Sequence, residues 1–215
     1  MKIGIIWDLD GTLLDTLEDL TDAVNYTMDR FGCPWRSLQE VRSFVGNGIR
    51  NLVAKSLPEN RQEVLEEAVE VYRAYYNAHS KIKTCPYPGI PEVLEKLGAE
   101  YPMAIASNKP DSAVKPLCRE FFGEVYALGE RAECPRKPAP DIVHRAMEAI
   151  GVEKCGYVGD SEVDILTSAN AKVSCLSVLW GFRDRDVLEA AGGKYFCEAP
   201  EQLYDCIKKI IANEE

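Results

Sequence analysis

The 215-residue sequence predicts an α/β fold: a doubly wound, mostly parallel sheet with a small all-helical cap domain inserted after the first strand. Three patterns lead there. Short apolar runs that end at polar residues recur along the chain, as buried strands do. Between the later runs, apolar residues fall on single helical faces, and strands alternating with helices imply right-handed crossovers and parallel pairing. From about Thr16 to Ile82 this alternation breaks, and the pattern is nearly all helical.

The first run, Ile3-Gly4-Ile5-Ile6-Trp7, reads as a buried strand that delivers Asp8 at its carboxyl end. The insert follows, from residue 16 to about 82. Leu17, Leu20, Ala23, Val24 and Met28 make one stripe, and Val64, Leu65, Ala68, Val69, Tyr72 and Tyr76 another. Asp15 is expected to cap the first of these helices, ahead of Glu18. Cys85-Pro86-Tyr87-Pro88-Gly89 suits a stiff linker, so residues 1–15 and 83–215 form the core. Open α/β sheets bind ligands at the carboxyl ends of their strands, so an insert at the end of strand one suggests a lid.

Four further strands are expected, at Met103–Ala106, Val125–Leu128, Gly156–Val158 and Cys175–Leu179. Val93, Leu94 and Leu97 mark a helix ending at Gly98. Ile142, Val143, Ala146, Met147 and Ile150 mark another, begun by Pro140 and stopped by Gly151.

Hydrophobic residues make up 46% and charged residues 28%, enough for a sizeable core. The net charge of −10, without long Lys or Arg runs, disfavours a nucleic-acid partner. An acidic protein that handles phosphate must create positive potential locally. The eight cysteines contain no Cys-x-x-Cys pair, and nothing at the start of the sequence reads as a secretory signal. Reduced, mostly buried thiols and a cytoplasmic location are the expectation. No apolar run approaches about 18 residues, so no membrane span is expected. Of the two histidines, His79 and His144, neither follows a predicted core strand, which disfavours phosphohistidine, Ser-His-Asp and His-rich two-metal chemistry.

The chemistry begins at Asp8-Leu9-Asp10-Gly11-Thr12. Two carboxylates this close at a strand end repel unless a cation or a proton relieves them. A divalent ion would do so, and Mg²⁺ takes few carboxylates together with water and phosphate oxygens. Gly11 permits a tight turn, and Thr12 offers a hydroxyl. Three later segments lie at or near strand ends: Ser107-Asn108, Lys137 within Arg136-Lys137-Pro138-Ala139-Pro140-Asp141, and Gly159-Asp160-Ser161-Glu162-Val163-Asp164. Ser107 is a hydroxyl donor, Lys137 a point charge, and Asp160 with Asp164 a second carboxylate pair. Each has a plainer reading. Ser107 could cap a helix, Lys137 could be a solvated loop lysine, and Asp160 and Asp164 could be an N-cap and an exposed acid. Glu162 reads as a surface residue.

In their order and their places at strand ends these segments resemble the four motifs of the haloacid dehalogenase superfamily, and the resemblance covers the whole chain. Trp7 departs from the Phe that many relatives carry there, a change of packing and not of chemistry. The insert carries Arg42-Ser43-Phe44-Val45-Gly46-Asn47-Gly48-Ile49-Arg50, whose glycines suit close approach to a ligand and whose Arg50 could clamp a carboxylate. A helix–helix turn with a solvated Arg50 explains it equally well. With the small helical cap, this stretch looks most like the phosphoglycolate phosphatase branch.

The resemblance implies a Rossmann-like core and a Mg²⁺-dependent phosphatase acting on a small phosphorylated metabolite. Asp8 would be the nucleophile, Asp10 the acid and base, and Lys137 a catalytic cation. Thr12, Ser107, Asn108 and Arg50 would bind substrate. Asp8, the backbone carbonyl of Asp10, and Asp160 would hold the metal, with Asp164 as ligand or neighbour. The cap would close over the site and choose the substrate. A sugar-phosphate mutase and a non-catalytic phosphometabolite-binding protein remain as rival readings, and the oligomeric state is not legible.

Overall fold

The structure, a computed structural model, describes residues 2–212. Among these residues it divides into two compact units: 2–14 with 86–212, and Asp15–Cys85. Two-residue strands, β2 (Leu14–Asp15) and β3 (Cys85–Pro86), fall at the two boundaries.

The first unit is built on a six-stranded sheet. Its strands are β1 (Ile3–Trp7), β4 (Met103–Pro110), β5 (Tyr126–Glu130), β6 (Lys154–Gly159), β7 (Ser174–Val178) and β8 (Tyr195–Cys197), in the order β5-β4-β1-β6-β7-β8. Every pairing is parallel. β1 lies in the middle, between β4 and β6, where the two directions of winding diverge. Open parallel sheets bind their ligands beside such a point.

Alternation along β1 shows why both faces must be covered. Ile5 and Trp7 join one apolar cluster, with Leu94 and Leu97 of α5 (Ile90–Gly98), Val114 and Leu117 of α6 (Asp111–Phe122), and Ile207 and Ile210 of α10 (Leu203–Ala212). Ile6 joins the other, with Ile142, Val143 and Ala146 of α7 (Asp141–Ile150). A strand buried on both faces reads as a continuous apolar run. α8 (Glu162–Ala171) and α9 (Arg185–Ala190) complete this unit. α7 starts after Pro140 and stops at Gly151, as the sequence suggests. Ser107 does not cap a helix. β4 runs on to Pro110, α6 begins at Asp111, and the pairing register with β5 shifts between Ala106 and Pro110.

The second unit contains α1 (Leu17–Arg30), α2 (Leu38–Phe44), α3 (Gly48–Ser56) and α4 (Leu65–His79), with a 3₁₀ segment at Glu59–Val64. Leu20, Ala23, Val24 and Met28 of α1, and Leu65, Ala68, Val69, Tyr72 and Tyr76 of α4, are buried as the stripes require. Thr16, not Asp15, stands at the N-cap of α1, while the Asp15 carboxylate accepts the Leu17 N–H at 3.2 Å. His79 stacks on Tyr75 at the end of α4.

One buried acid ties the end of this unit to its start. Asp19, 3% exposed, accepts the backbone N–H groups of Ile82, Lys83 and Thr84. Asp19→Ala orphans all three, and the expected loss is about 3 kcal/mol, read by urea unfolding. A loss below about 1 kcal/mol would show that water replaces the carboxylate there.

All eight cysteines are free thiols, five of them buried, with only Cys85 exposed. Among the described residues, no helix is long and apolar enough to cross a membrane.

Candidate active site

The site assembles at the carboxyl end of β1. The Asp8 N–H donates to the Val158 carbonyl of β6 at 2.8 Å, which carries the ladder one residue past the strand. The turn that follows needs a glycine. Gly11 has φ +82°, and a Cβ there would lie 2.3 Å from an oxygen of Asp160. Gly159 is equally constrained, because its Cβ would meet the Asp164 carboxylate at 2.4 Å. Gly11 thus lets the first and last acidic segments pack against one another, and Gly159 lets Asp164 fold back onto its own segment.

Lys137 is the hub. It is 3% exposed, and its ammonium donates to Asp8 Oδ1 at 2.7 Å, Asp164 Oδ1 at 2.8 Å and the Tyr157 hydroxyl at 3.1 Å. All three protons of the ammonium are used, and although burial works against its charge, the Asp164 and Asp8 carboxylates hold Lys137 firmly protonated. The plainer reading, a solvated loop lysine, is excluded by this burial.

The backbone of Lys137 is held as well. Its N–H donates to Asn108 Oδ1 at 2.8 Å, and Asn108 Nδ2 donates to its carbonyl at 3.0 Å. Asn108 therefore splints the β4 end to the Lys137 loop. Ser107, 2% exposed, accepts the Lys109 N–H on its hydroxyl at 3.2 Å.

Asp160 is 1% exposed. It accepts the Thr12 hydroxyl at 3.2 Å and the Phe182 N–H at 2.7 Å. Asp164 is fully buried and bonded at both oxygens. Oδ1 takes Lys137 and Tyr157, and Oδ2 takes the N–H and hydroxyl of Ser161. With Ser161 it forms the capping box of α8, so it is a capping acid, though not an exposed one.

Asp8, Asp160 and Asp164 offer carboxylate oxygens that all lie within 4.8 Å of one another. Against Lys137 they leave an excess of two negative charges if all are ionised. Burial, and then the Asp164 charge, raise Asp8 well above the usual carboxylate range despite Lys137. The same two causes push Asp160 up to about 7. A hard divalent cation among these oxygens would offset the excess, so the donor set fits Mg²⁺. The Asp10 carboxylate stands apart from this cluster. Lys109 donates to its Oδ1 at 2.7 Å, with the two side chains 5% and 13% exposed.

Three participants are not evident in the sequence. Lys109 follows Ser107-Asn108 directly, and its reach to Asp10 spans 99 residues. Tyr157 bridges Lys137 and Asp164 from inside β6. Arg183 pairs with Glu162 at 2.7 Å and lowers the pKa of Asp160 through its charge. Glu162, taken from the sequence as a surface residue, is half of that ion pair. Arg50 lies in the helical unit on α3, 62% exposed in its side chain, and donates to Glu66 at 2.8 and 2.9 Å. Gly46 and Gly48 join α2 to α3, both with positive φ.

Comparison with known proteins agrees with this geometry. A family model described as haloacid dehalogenase-like hydrolase matches residues 5–178. The chain is 32% identical over 223 residues to the phosphoglycolate phosphatase of Pseudomonas savastanoi pv. phaseolicola, covering 96% of this chain and 78% of that one. It is 32% identical over 184 residues to the phosphoglycolate phosphatase of Aquifex aeolicus, covering 83% and 85%. A crystal structure of a provisionally assigned phosphoglycolate phosphatase from Lactobacillus delbrueckii subsp. bulgaricus superposes with a TM-score of 0.88 at 34% identity, covering 95% of this chain and 97% of that one. The chain belongs to the haloacid dehalogenase-like hydrolases, as a phosphoric monoester hydrolase of the phosphoglycolate phosphatase-like branch.

Proposed function

We propose that this phosphatase hydrolyses a small phosphomonoester, phosphoglycolate or a close relative, through an aspartyl-phosphate on Asp8. The observation that carries the reading is Lys137, which joins Asp8 to Asp164 beside Asp160 and so places a fixed positive charge at the nucleophile. The Asp8 carboxylate attacks phosphorus in line as the ester oxygen leaves. Asp10, two residues on, gives that oxygen its proton, then takes one from the water that hydrolyses the acyl phosphate. Lys137, the Ser107 hydroxyl and nearby backbone N–H groups offset charge on the transferring oxygens. Thr12, bonded to Asp160, and Asn108, bonded to the Lys137 backbone, hold the acids and the lysine in place as well as lying beside the substrate oxygens.

Asp8, Asp160 and the Asp10 carbonyl would hold Mg²⁺, with Asp164 beside it. When bound, the ion neutralises the carboxylate cluster and polarises phosphate oxygens. The helical unit acts as a cap that selects the substrate, and Arg50 is its candidate carboxylate clamp once released from Glu66. A cytoplasmic location is part of this reading, supported by the free, mostly buried thiols.

The test is Mg²⁺-dependent phosphate release from a panel of phosphoglycolate, sugar phosphates, nucleotides and pyrophosphate. The expected result is the highest kcat/KM for phosphoglycolate or another small carboxylated ester. Isomerisation of a hexose phosphate without free phosphate would overturn hydrolysis in favour of transfer.

A pH dependence follows from Asp160. Its folded pKa of about 7 lies above the unfolded value of about 3.9, so its contribution to stability is present in acid and lost as pH rises through 7. In EDTA, the protein is expected to melt at a lower temperature at pH 8 than at pH 6. Mg²⁺ competes with that proton, so its stabilisation should be larger at pH 8. Equal melting temperatures in EDTA would contradict the cluster electrostatics.

A further inference from the structure

The geometry points to Lys109 as the positioning residue for the Asp10 carboxylate, a role that rests on reading Asp10 as the acid and base. Its ammonium holds Asp10 Oδ1 at 2.7 Å, 5% exposed, beside a carboxylate that is itself 13% exposed. The anchorage behind it is unusually firm. Its own N–H donates to Ser107 Oγ, and the preceding Asn108 is clamped to the Lys137 backbone through both ends of its amide. Behind the lysine, Gly129 of β5 leaves no room for a side chain. A Cβ there would come within 2.6 Å of the Lys109 carbonyl and 2.5 Å of the Asp111 backbone. The register shift between Ala106 and Pro110 falls on this same segment.

The site therefore has two lysines with divided duties. Lys137 holds Asp8 and Asp164, and Lys109 holds Asp10. A carboxylate tethered by one oxygen has its rotation fixed and presents the other oxygen, Oδ2, to the leaving group. Losing that tether costs orientation rather than binding, and a misplacement of about 1 Å is enough for about 10²-fold in rate.

The experiment compares kcat/KM for p-nitrophenyl phosphate, phenyl phosphate and phosphoglycolate in the parent, Lys109→Met, Lys109→Arg and Asp10→Asn. A good leaving group departs without a proton, and an alcohol needs one. Lys109→Met is expected to lose about 10²-fold on phosphoglycolate and under about fivefold on p-nitrophenyl phosphate, following Asp10→Asn in direction. Lys109→Arg should recover part of the loss. The ratio between substrates is taken on one preparation, so a misfolded fraction cancels. Equal losses on all three substrates, with Asp10→Asn alone discriminating between them, would overturn the role of Lys109 and leave the acid–base reading standing. If Asp10→Asn also loses all three equally, both fall together.

Discussion

Asp8→Asn is expected to lower kcat/KM by at least about 10⁴-fold while leaving the fold intact, because the amide keeps the shape of the carboxylate and loses its nucleophilicity. The stability arm of this prediction is as specific as the kinetic one. Burial and the Asp164 charge make an ionised Asp8 costly in the metal-free protein. Replacing it with a neutral group relieves that cost, while Lys137 keeps Asp164 and Tyr157 as partners. In EDTA, the variant should melt no lower than its parent. Circular dichroism melts beside phosphate-release kinetics check both arms. Full activity in Asp8→Asn would remove the basis of the mechanism, and a large drop in melting temperature would show that Asp8 is chiefly structural.

The second large effect is at Lys137. Lys137→Met keeps roughly the length of the side chain and deletes the charge that two buried acids, Asp8 and Asp164, share. Removing one partner from a buried ionic cluster costs about 3–5 kcal/mol, because the remaining charges stay desolvated and unpaired. Activity is expected to fall about 10³-fold, the scale of losing a preorganised donor at a reacting centre. Adding Asp164→Asn removes one of the three carboxylate charges then left without a counter-charge, so the double variant should regain part of the stability and none of the activity. A single-variant loss below about 1 kcal/mol in metal-free buffer would contradict the hub.

The sheet was legible because its central strands are buried on both faces and end abruptly at polar residues, as Ile3–Trp7 does before Asp8. β8 left too little signal: Tyr195–Cys197 is three residues long, and Tyr195 is 37% exposed. Asp8, Lys137 and Asp160 stand out as charged residues where an apolar pattern stops. Lys109 does not, because it continues Ser107-Asn108 within a strand that runs past its expected end, and its partner is 99 residues away. Spacing alone could not say that Asp164 closes a capping box or that Asn108 is clamped to the Lys137 backbone, since both depend on which atoms meet. Arg50 was visible as a cation near two glycines, and its exposed pairing with Glu66 is one that sequence patterns do not encode.

The central claim is that Asp8 carries the phosphoryl group. Rapid acid quench of the Mg²⁺ enzyme during turnover, followed by borohydride reduction and peptide mass spectrometry, tests it directly, because an aspartyl-phosphate is reduced to homoserine. The account predicts homoserine at position 8 in the parent and an unmodified residue in Asp8→Asn. Phosphoryl label or homoserine at any other residue, with Asp8 untouched during active turnover, would contradict it.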